Sequence, residues 1–424
     1  MTRHSQIADD TARKATRFGM VLLLLSATVF QRFGLGSADF ALSFSLISVY
    51  LLLVIAALAG SLSVSKTRSL LYLAGVGVAL TSFLFNGQRS SFPSLLLLLL
   101  IYLPFVFLLK EHSLAESDGE WLWQQFSRLA LFFACCGIFQ FFAQFVIHSP
   151  LLFDITSLVP EALRNSGTFN TVISVGSVNK ANGFFFREPS GFSFFMALAL
   201  LSEAVTQRRL PRLACYGLAL LLTYSGTGIL VLLIGTCYPL GRKTVLRLGA
   251  VACVGALVFG LLGDSLNLSV TVDRLGEFDN ARSSGYIRYI APGRLVAELL
   301  DSDSWSAWVG HGPGTIFRTV REYEFHDPTW AKLLFEYGLL GFLLFVALFA
   351  FALRRTAIPM QLRASLFWAW LVTGGHLLSP EQNYLTLALM GLLPLSARLS
   401  DTANPEPSLS EDDQLVAADE GLHA

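Results

Sequence analysis

The chain has 424 residues, of which 54% are hydrophobic and only 14% charged, with mean hydropathy +0.58. A soluble protein carries about a quarter of its residues as charges, so much of this surface must face an apolar medium. A formal net charge of +0 leaves no basic excess to neutralise phosphates over a long tract, which excludes nucleic acid as a partner.

Apolar runs of about 20 residues span a bilayer, and loops rich in Lys and Arg stay cytoplasmic. Arg3, Arg13, Lys14 and Arg17 therefore set the N-terminal segment 1–17 inside. A retained first span, Phe18–Phe33, fits the many later apolar runs better than a cleaved signal peptide does. Spans two to four follow as Phe40–Gly60, Leu70–Phe85 and Phe92–Leu109. Lys110–Arg128 reads as an inside loop of amphipathic character, with Trp121 and Trp123 at the interface. Span five is Leu129–Ile147, and 148–187 is a polar outer loop leading to span six, Gly191–Val205.

Read as one helix, the next run, Leu213–Leu240, would place Gly241-Arg242-Lys243 outside and invert every later loop against its charge. A break at Ser225-Gly226-Thr227-Gly228 makes it a hairpin of two short segments, each of roughly 14 residues or ~20 Å. Such a break is tolerated only where it lines a cavity or is buried in protein. Span nine, Leu248–Leu262, leads to a large outer loop, 264–330. Spans ten to twelve are Ala331–Leu353, Ala364–Leu378 and Tyr384–Ala397, the last two joined by Ser379-Pro380-Glu381-Gln382-Asn383. The acidic tail, 398–424, reads as a disordered cytoplasmic segment. The expected fold is thus an all-α polytopic membrane domain over 18–397, with about 12 transmembrane helices, both termini inside and no internal repeat of the transporter kind.

Five features gather on the outer side of this topology. Arg187 and Glu188 stand at the mouth of span six, where they either neutralise each other or address a charged group of a substrate. Arg288 and Arg294, near Tyr286 and Tyr289, either lie on the bilayer surface or fork onto a diphosphate, which suits planar guanidinium. The Ser225 break is the third feature. Gly310-His311-Gly312-Pro313-Gly314 is a turn whose glycines would also admit a close anion, with His311 a further substrate contact. His326 and Asp327 precede span ten, and an imidazole of ordinary pKa ~6.5 suits a general base. Lys332 and Glu336, four apart, are expected to pair along their helix. Asp301-Ser302-Asp303 carries too little pattern to mark a metal site, and the five cysteines all lie in apolar runs, so no metal is expected.

GHGPG followed by HDP and then LLFEYGLLGFLLF resembles the signature of the bacterial O-antigen polymerase and O-antigen ligase superfamily. Glu336, Gly338 and Gly341 fit its E-x-G-x-x-G stretch. FREPSGF at Phe186–Phe192, TYSGTG at Thr223–Gly228 and SGYIRY at Ser284–Tyr289 resemble further segments in the same order. The likeness covers roughly Phe184 to Leu344, and the N-terminal third matches only by hydropathy. Aligned on Glu336 and Gly338, His326 sits one residue upstream of the ligase pattern's His, which tilts the resemblance to the polymerase branch.

The resemblance implies a glycosyltransferase-C-like fold in the bacterial inner membrane. It also implies transfer from a polyprenyl-diphosphate-linked oligosaccharide at the periplasmic face, without cofactor. Membrane lipid is the medium, and a chain-length regulator protein is a further expected partner. Arg288, Arg187 and Arg294 would hold the diphosphate, and the base would come from His326, Asp327 or Glu188. The rival readings are a ligase passing glycan to a lipid A core or to protein, and a transporter or flippase of a lipid-linked sugar. A transporter would carry charges near mid-span, where this chain has few.

Overall fold

The computed structural model describes residues 3–36, 41–109, 116–165, 171–206, 209–262, 283, 285–301, 304–318, 323–354 and 358–391. The expected tail at 398–424, the end of the twelfth span and residues 264–282 of the large loop lie outside the described residues.

Helices dominate, in the order α1 (Arg3–Thr28), α2 (Phe44–Leu58), α3 (Lys66–Asn86), α4 (Phe92–Tyr102), α5 (Glu116–Ala143), α6 (Pro189–Val205), α7 (Leu210–Leu221), α8 (Gly226–Thr236) and α9 (Arg242–Leu262). After them come α10 (Ala291–Leu300), α11 (Ser304–Val309), α12 (Thr329–Arg354), α13 (Met360–Val372) and α14 (Pro380–Thr386). Among the described residues, three antiparallel two-stranded ribbons join pieces of loop: Gly34–Gly36 with Ala41–Ser43, Leu62–Val64 with Phe107–Leu109, and Ser174–Val175 with Val178–Asn179.

Among the described residues, three stretches are long and apolar enough to cross a membrane, Lys66–Arg89, Trp121–Ala143 and Thr329–Arg354, and five shorter apolar helices accompany them. On α3, Leu70, Leu73, Leu80 and Leu84 share one outward face and are all exposed, as a lipid-facing stripe requires. The chain is an all-α protein of membrane type. α6 is the opposite case: every residue from Phe192 to Ala204 is buried. A helix apolar on all sides belongs at the centre of its bundle, and α5, α7, α8 and α13 pack around it.

The run after α6 is interrupted as its charges require. α7 ends at Leu221, and Ser225 caps α8 by accepting from the Thr227 amide at 3.4 Å. α8 then runs beside α6 in the same direction, Gly228 lying against Ser193 and Gly235 against Leu201. Several boundaries differ from expectation: the connection Ser379–Asn383 is helical from Pro380, and α5 begins at Glu116, so most of the supposed loop Lys110–Arg128 is helix. Leu122 and Phe126 are fully buried, and Arg17 of α1 lies over Trp121 at 4.9 Å; tertiary contact holds the amphipathic segment helical.

α12 is broken internally. Gly338 has φ 66° and ψ −171°, a backbone conformation reserved for glycine. The carbonyls freed by the break are taken by the glycine turn before it: His311 N–H donates to Phe335 O at 2.9 Å and Gly312 N–H to Glu336 O at 3.0 Å. The Ser82 hydroxyl also donates to Glu336 O, at 2.7 Å. Gly310 sits so close that a Cβ there would meet the Glu336 carbonyl carbon at 2.3 Å, and its φ is +80°. Gly310→Ala should therefore cost about 3 kcal/mol or more. Gly60→Ala, at φ +67° but with nothing within 4 Å, should cost only about 1 kcal/mol. Thermal unfolding of both variants in detergent measures the difference.

Candidate active site

A cavity of about 470 Å³ opens where helix ends converge. Its wall takes Ser43 at the start of α2, Pro93 and Ser94 from α4, Arg187 and Glu188 just before α6 with Ser190 and Gly191 in its first turn, Thr227 from α8, and Ser379 to Gln382 at the start of α14. Five helix N-termini thus meet at one polar chamber. Each brings partial positive charge and backbone N–H groups without a partner in their own helix, an environment suited to an anion. Gln31 after α1, Asn165, Arg288, Tyr289, His326 and His376 complete the polar lining.

Arg187 and Glu188 are held in place by a third residue. The Arg32 side chain, 1% exposed, donates to Asp154 at 2.9 Å, to Thr156 at 2.7 Å, and to the Phe186 carbonyl at 2.7 Å. It ties the end of α1 to the backbone immediately before Arg187. Beneath that turn, Gln140 of α5 and Asn182 satisfy each other at 2.8 Å; Gln140 also accepts from Asn182 N–H and Gly183 N–H, each at 2.9 Å. Both side chains are fully buried, and such a network is stable in an apolar setting because its groups are paired. Glu188 occupies the N-cap position of α6 without capping it, and its carboxylate accepts from Ser190 Oγ at 3.0 Å.

Across the cavity, Arg288 and Tyr289 lie in a π-helical turn, Tyr286–Ile290, that leads into α10. The His326 amide donates to Ile287 O at 3.0 Å, which ties the two segments together, and Arg288 and His326 both line the cavity. Burial and the Arg288 charge lower the His326 pKa below its ordinary value, against the opposing pull of Asp327 and Glu188. His326 is accordingly neutral at pH 7 and able to accept a proton.

The structure separates the remaining expected residues from this group. Asp327 is tied to Lys332 at 2.8 Å and does not line the cavity. Arg294 is turned onto the rings of Tyr286 and Tyr323, at 5.7 and 5.3 Å. His311 packs against Phe335 with ring centroids 4.8 Å apart, and the glycine turn that carries it closes the α12 break. The Ser225 hydroxyl caps α8, leaving neighbouring Thr227 to face the cavity. Lys332 reaches Asp327 more closely than Glu336, whose buried carboxylate approaches the Gly314 and Ile316 amides short of full hydrogen-bond geometry.

The sequence reading missed Glu381, Gln382 and His376, all cavity-lining. Glu381 faces Arg187, Nη1 to Oε2 at 3.8 Å, and His376 stands edge-on to Phe194, centroids 5.7 Å apart. The available signal was the density of polar residues in Pro380-Glu381-Gln382-Asn383, which as a linear stretch is indistinguishable from an ordinary connection.

Residues 138–393, more than half of the chain, match the family model described as WcaD colanic acid polymerase. The chain belongs to this family. The matched segment holds Arg187, Glu188, Arg288, His326, His376 and Glu381, whereas Arg32 and Gln31 lie before it. No curated protein matches the chain. Membership in the WcaD family gives it a polysaccharide-polymerase role, hence glycosyl transfer with a lipid-linked oligosaccharide as substrate.

Arg32→Leu should destabilise the WcaD-family fold by about 3 kcal/mol, since it strips charge-assisted bonds from the Phe186 carbonyl and Asp154. Faster hydrogen exchange at residues 184–188, with a lower unfolding temperature in detergent, is the expected readout.

Proposed function

We propose that the protein lengthens a polysaccharide by joining oligosaccharide repeat units carried on polyprenyl diphosphate, with the cavity on the periplasmic face of the bacterial inner membrane. The observation that carries this reading is the meeting of Arg187, Arg288, Glu188 and His326 at a chamber ringed by helix N-termini. The twelve-span topology, with 1–17 and 398–424 cytoplasmic, belongs to the same proposal. Lys66 and Arg68, Arg209 and Arg212, Arg242 and Lys243, and Arg354 stand at the helix ends opposite the cavity, where basic residues mark the cytoplasmic side.

In the reaction, an acceptor sugar hydroxyl attacks the anomeric carbon of the donor. The bond from that carbon to the diphosphate oxygen breaks, and the polyprenyl diphosphate leaves with the bonding electrons and an added negative charge. Arg288 and Arg187 stabilise that charge as it develops, the largest contribution such a site can make. The hydroxyl proton passes to His326 or Glu188. The chain-length regulator and the polysaccharide pathway served belong to the same proposal, without a particular sugar assigned.

Reconstituted protein supplied with the lipid-linked repeat unit alone should extend it into longer chains. Product formed only when a lipid A acceptor is added would show a ligase instead. Arg288→Ala should lower the rate at least 100-fold, whereas Arg294→Ala, removing a guanidinium stacked on tyrosines, should retain most activity. The rate should fall on acidification, with the acid limb displaced below the ordinary histidine range of ~6.5, because burial and Arg288 lower the His326 pKa and protonated His326 can no longer accept a proton. His326→Gln should flatten that acid limb, and a rate profile from pH 5 to 8 is the measurement.

A further inference from the structure

The ion pairs around the cavity differ sharply in tightness. Arg32–Asp154 closes at 2.9 Å and Lys332–Asp327 at 2.8 Å, the range of charge-assisted hydrogen bonds. Arg187 and Glu381 stay 3.8 Å apart, although Glu381 is only 4% exposed. Glu381 Oε2 accepts from Ser379 Oγ at 3.2 Å, and among the described residues Oε1 has no hydrogen-bond partner. A buried carboxylate oxygen without a partner is costly, and this one belongs to a residue of the cavity wall. Glu381 also lies in the first turn of α14, where a carboxylate is favoured by the helix dipole. That placement explains an acidic residue there, but not a side chain set against Arg187 with one oxygen unmatched.

Arg187 is flanked by a second cation, since the buried Arg32 guanidinium feels its charge. Glu381, set 3.8 Å from Arg187, offsets this crowding. A diphosphate in the cavity would offer Arg187 a stronger, multidentate partner than a carboxylate held 3.8 Å away.

We infer that Glu381 is the exchangeable counter-ion of Arg187: the diphosphate displaces it on binding, and it reclaims Arg187 to expel the polyprenyl diphosphate product. Glu381 is a positioning residue in this scheme. It competes with the ligand for one guanidinium, so its charge weakens diphosphate binding and speeds release. The inference rests on the diphosphate reading of the cavity.

The test uses farnesyl diphosphate as a product-like probe, its affinity measured for the full chain in nanodiscs. Glu381→Gln keeps the shape and the Ser379 contact but removes the charge, and should bind the probe about tenfold more tightly while turning over more slowly. Glu381→Asp, which keeps the charge, should not bind it more tightly than the wild type. In an Arg187→Gln background, Glu381→Gln should leave affinity unchanged, as a double-mutant cycle requires of a pair acting through each other. Weaker or equal binding by Glu381→Gln, with a wild type that binds, overturns this inference and leaves the diphosphate reading standing. A wild type that does not bind the probe overturns both.

Discussion

Everything in this fold answers to one constraint: in an apolar medium, each interrupted helix must find partners for its backbone groups inside the protein. The break at Gly338 is met by amides of His311 and Gly312 and by the Ser82 hydroxyl. The break between α7 and α8 is met by the Ser225 cap and by Ser193, whose hydroxyl accepts from Gly228 N–H at 2.9 Å. These solutions knit distant segments together, so the interruptions become the joints of the structure. The cavity lies where several helices start together, and serine side chains cap three of those starts, α2, α4 and α8.

The same constraint sorts the charged residues. Arg32, Lys332 and Asp327 are used to hold backbone in place, through short contacts to fixed partners. Arg187, Arg288, Glu188, Glu381 and His326 face the chamber. The proposed chemistry on a lipid-linked diphosphate calls for such a division: rigid pairs that set geometry, and looser charges free to change partners. The WcaD-family match, over 138–393, spans the second set and leaves Arg32 outside. The N-terminal part frames the site as well as lining it: Arg32, just after α1, pins the Arg187 turn, α3 braces the α12 break through Ser82, and Gln31, Ser43, Pro93 and Ser94 line the cavity.

A motif and a site are different things in this chain. The glycine turn around His311 and the Glu336–Gly338–Gly341 stretch supplied the strongest resemblance, yet both serve the break in α12, where a Cβ added at Gly310 or at Gly338 would meet the other's segment at 2.3 Å. Such a joint tolerates few residue types, which gives it a recognisable sequence. Cavity residues carry weaker patterns because each comes from a separate helix end.

Composition and charge spacing alone determined that this is a helical membrane protein, that the run at Leu213–Leu240 turns back at Ser225, and that Arg187, Glu188, Arg288 and His326 deserve scrutiny. Those features follow from hydropathy and the charge of neighbouring loops, both local properties of the chain. Only tertiary structure decided that Arg294, Asp327 and His311 face other partners and that Glu381 stands opposite Arg187, 194 positions away in sequence (381 − 187). A side chain's partner depends on which helix ends are brought together, and that is fixed by packing across the bundle, to which no linear spacing gives access.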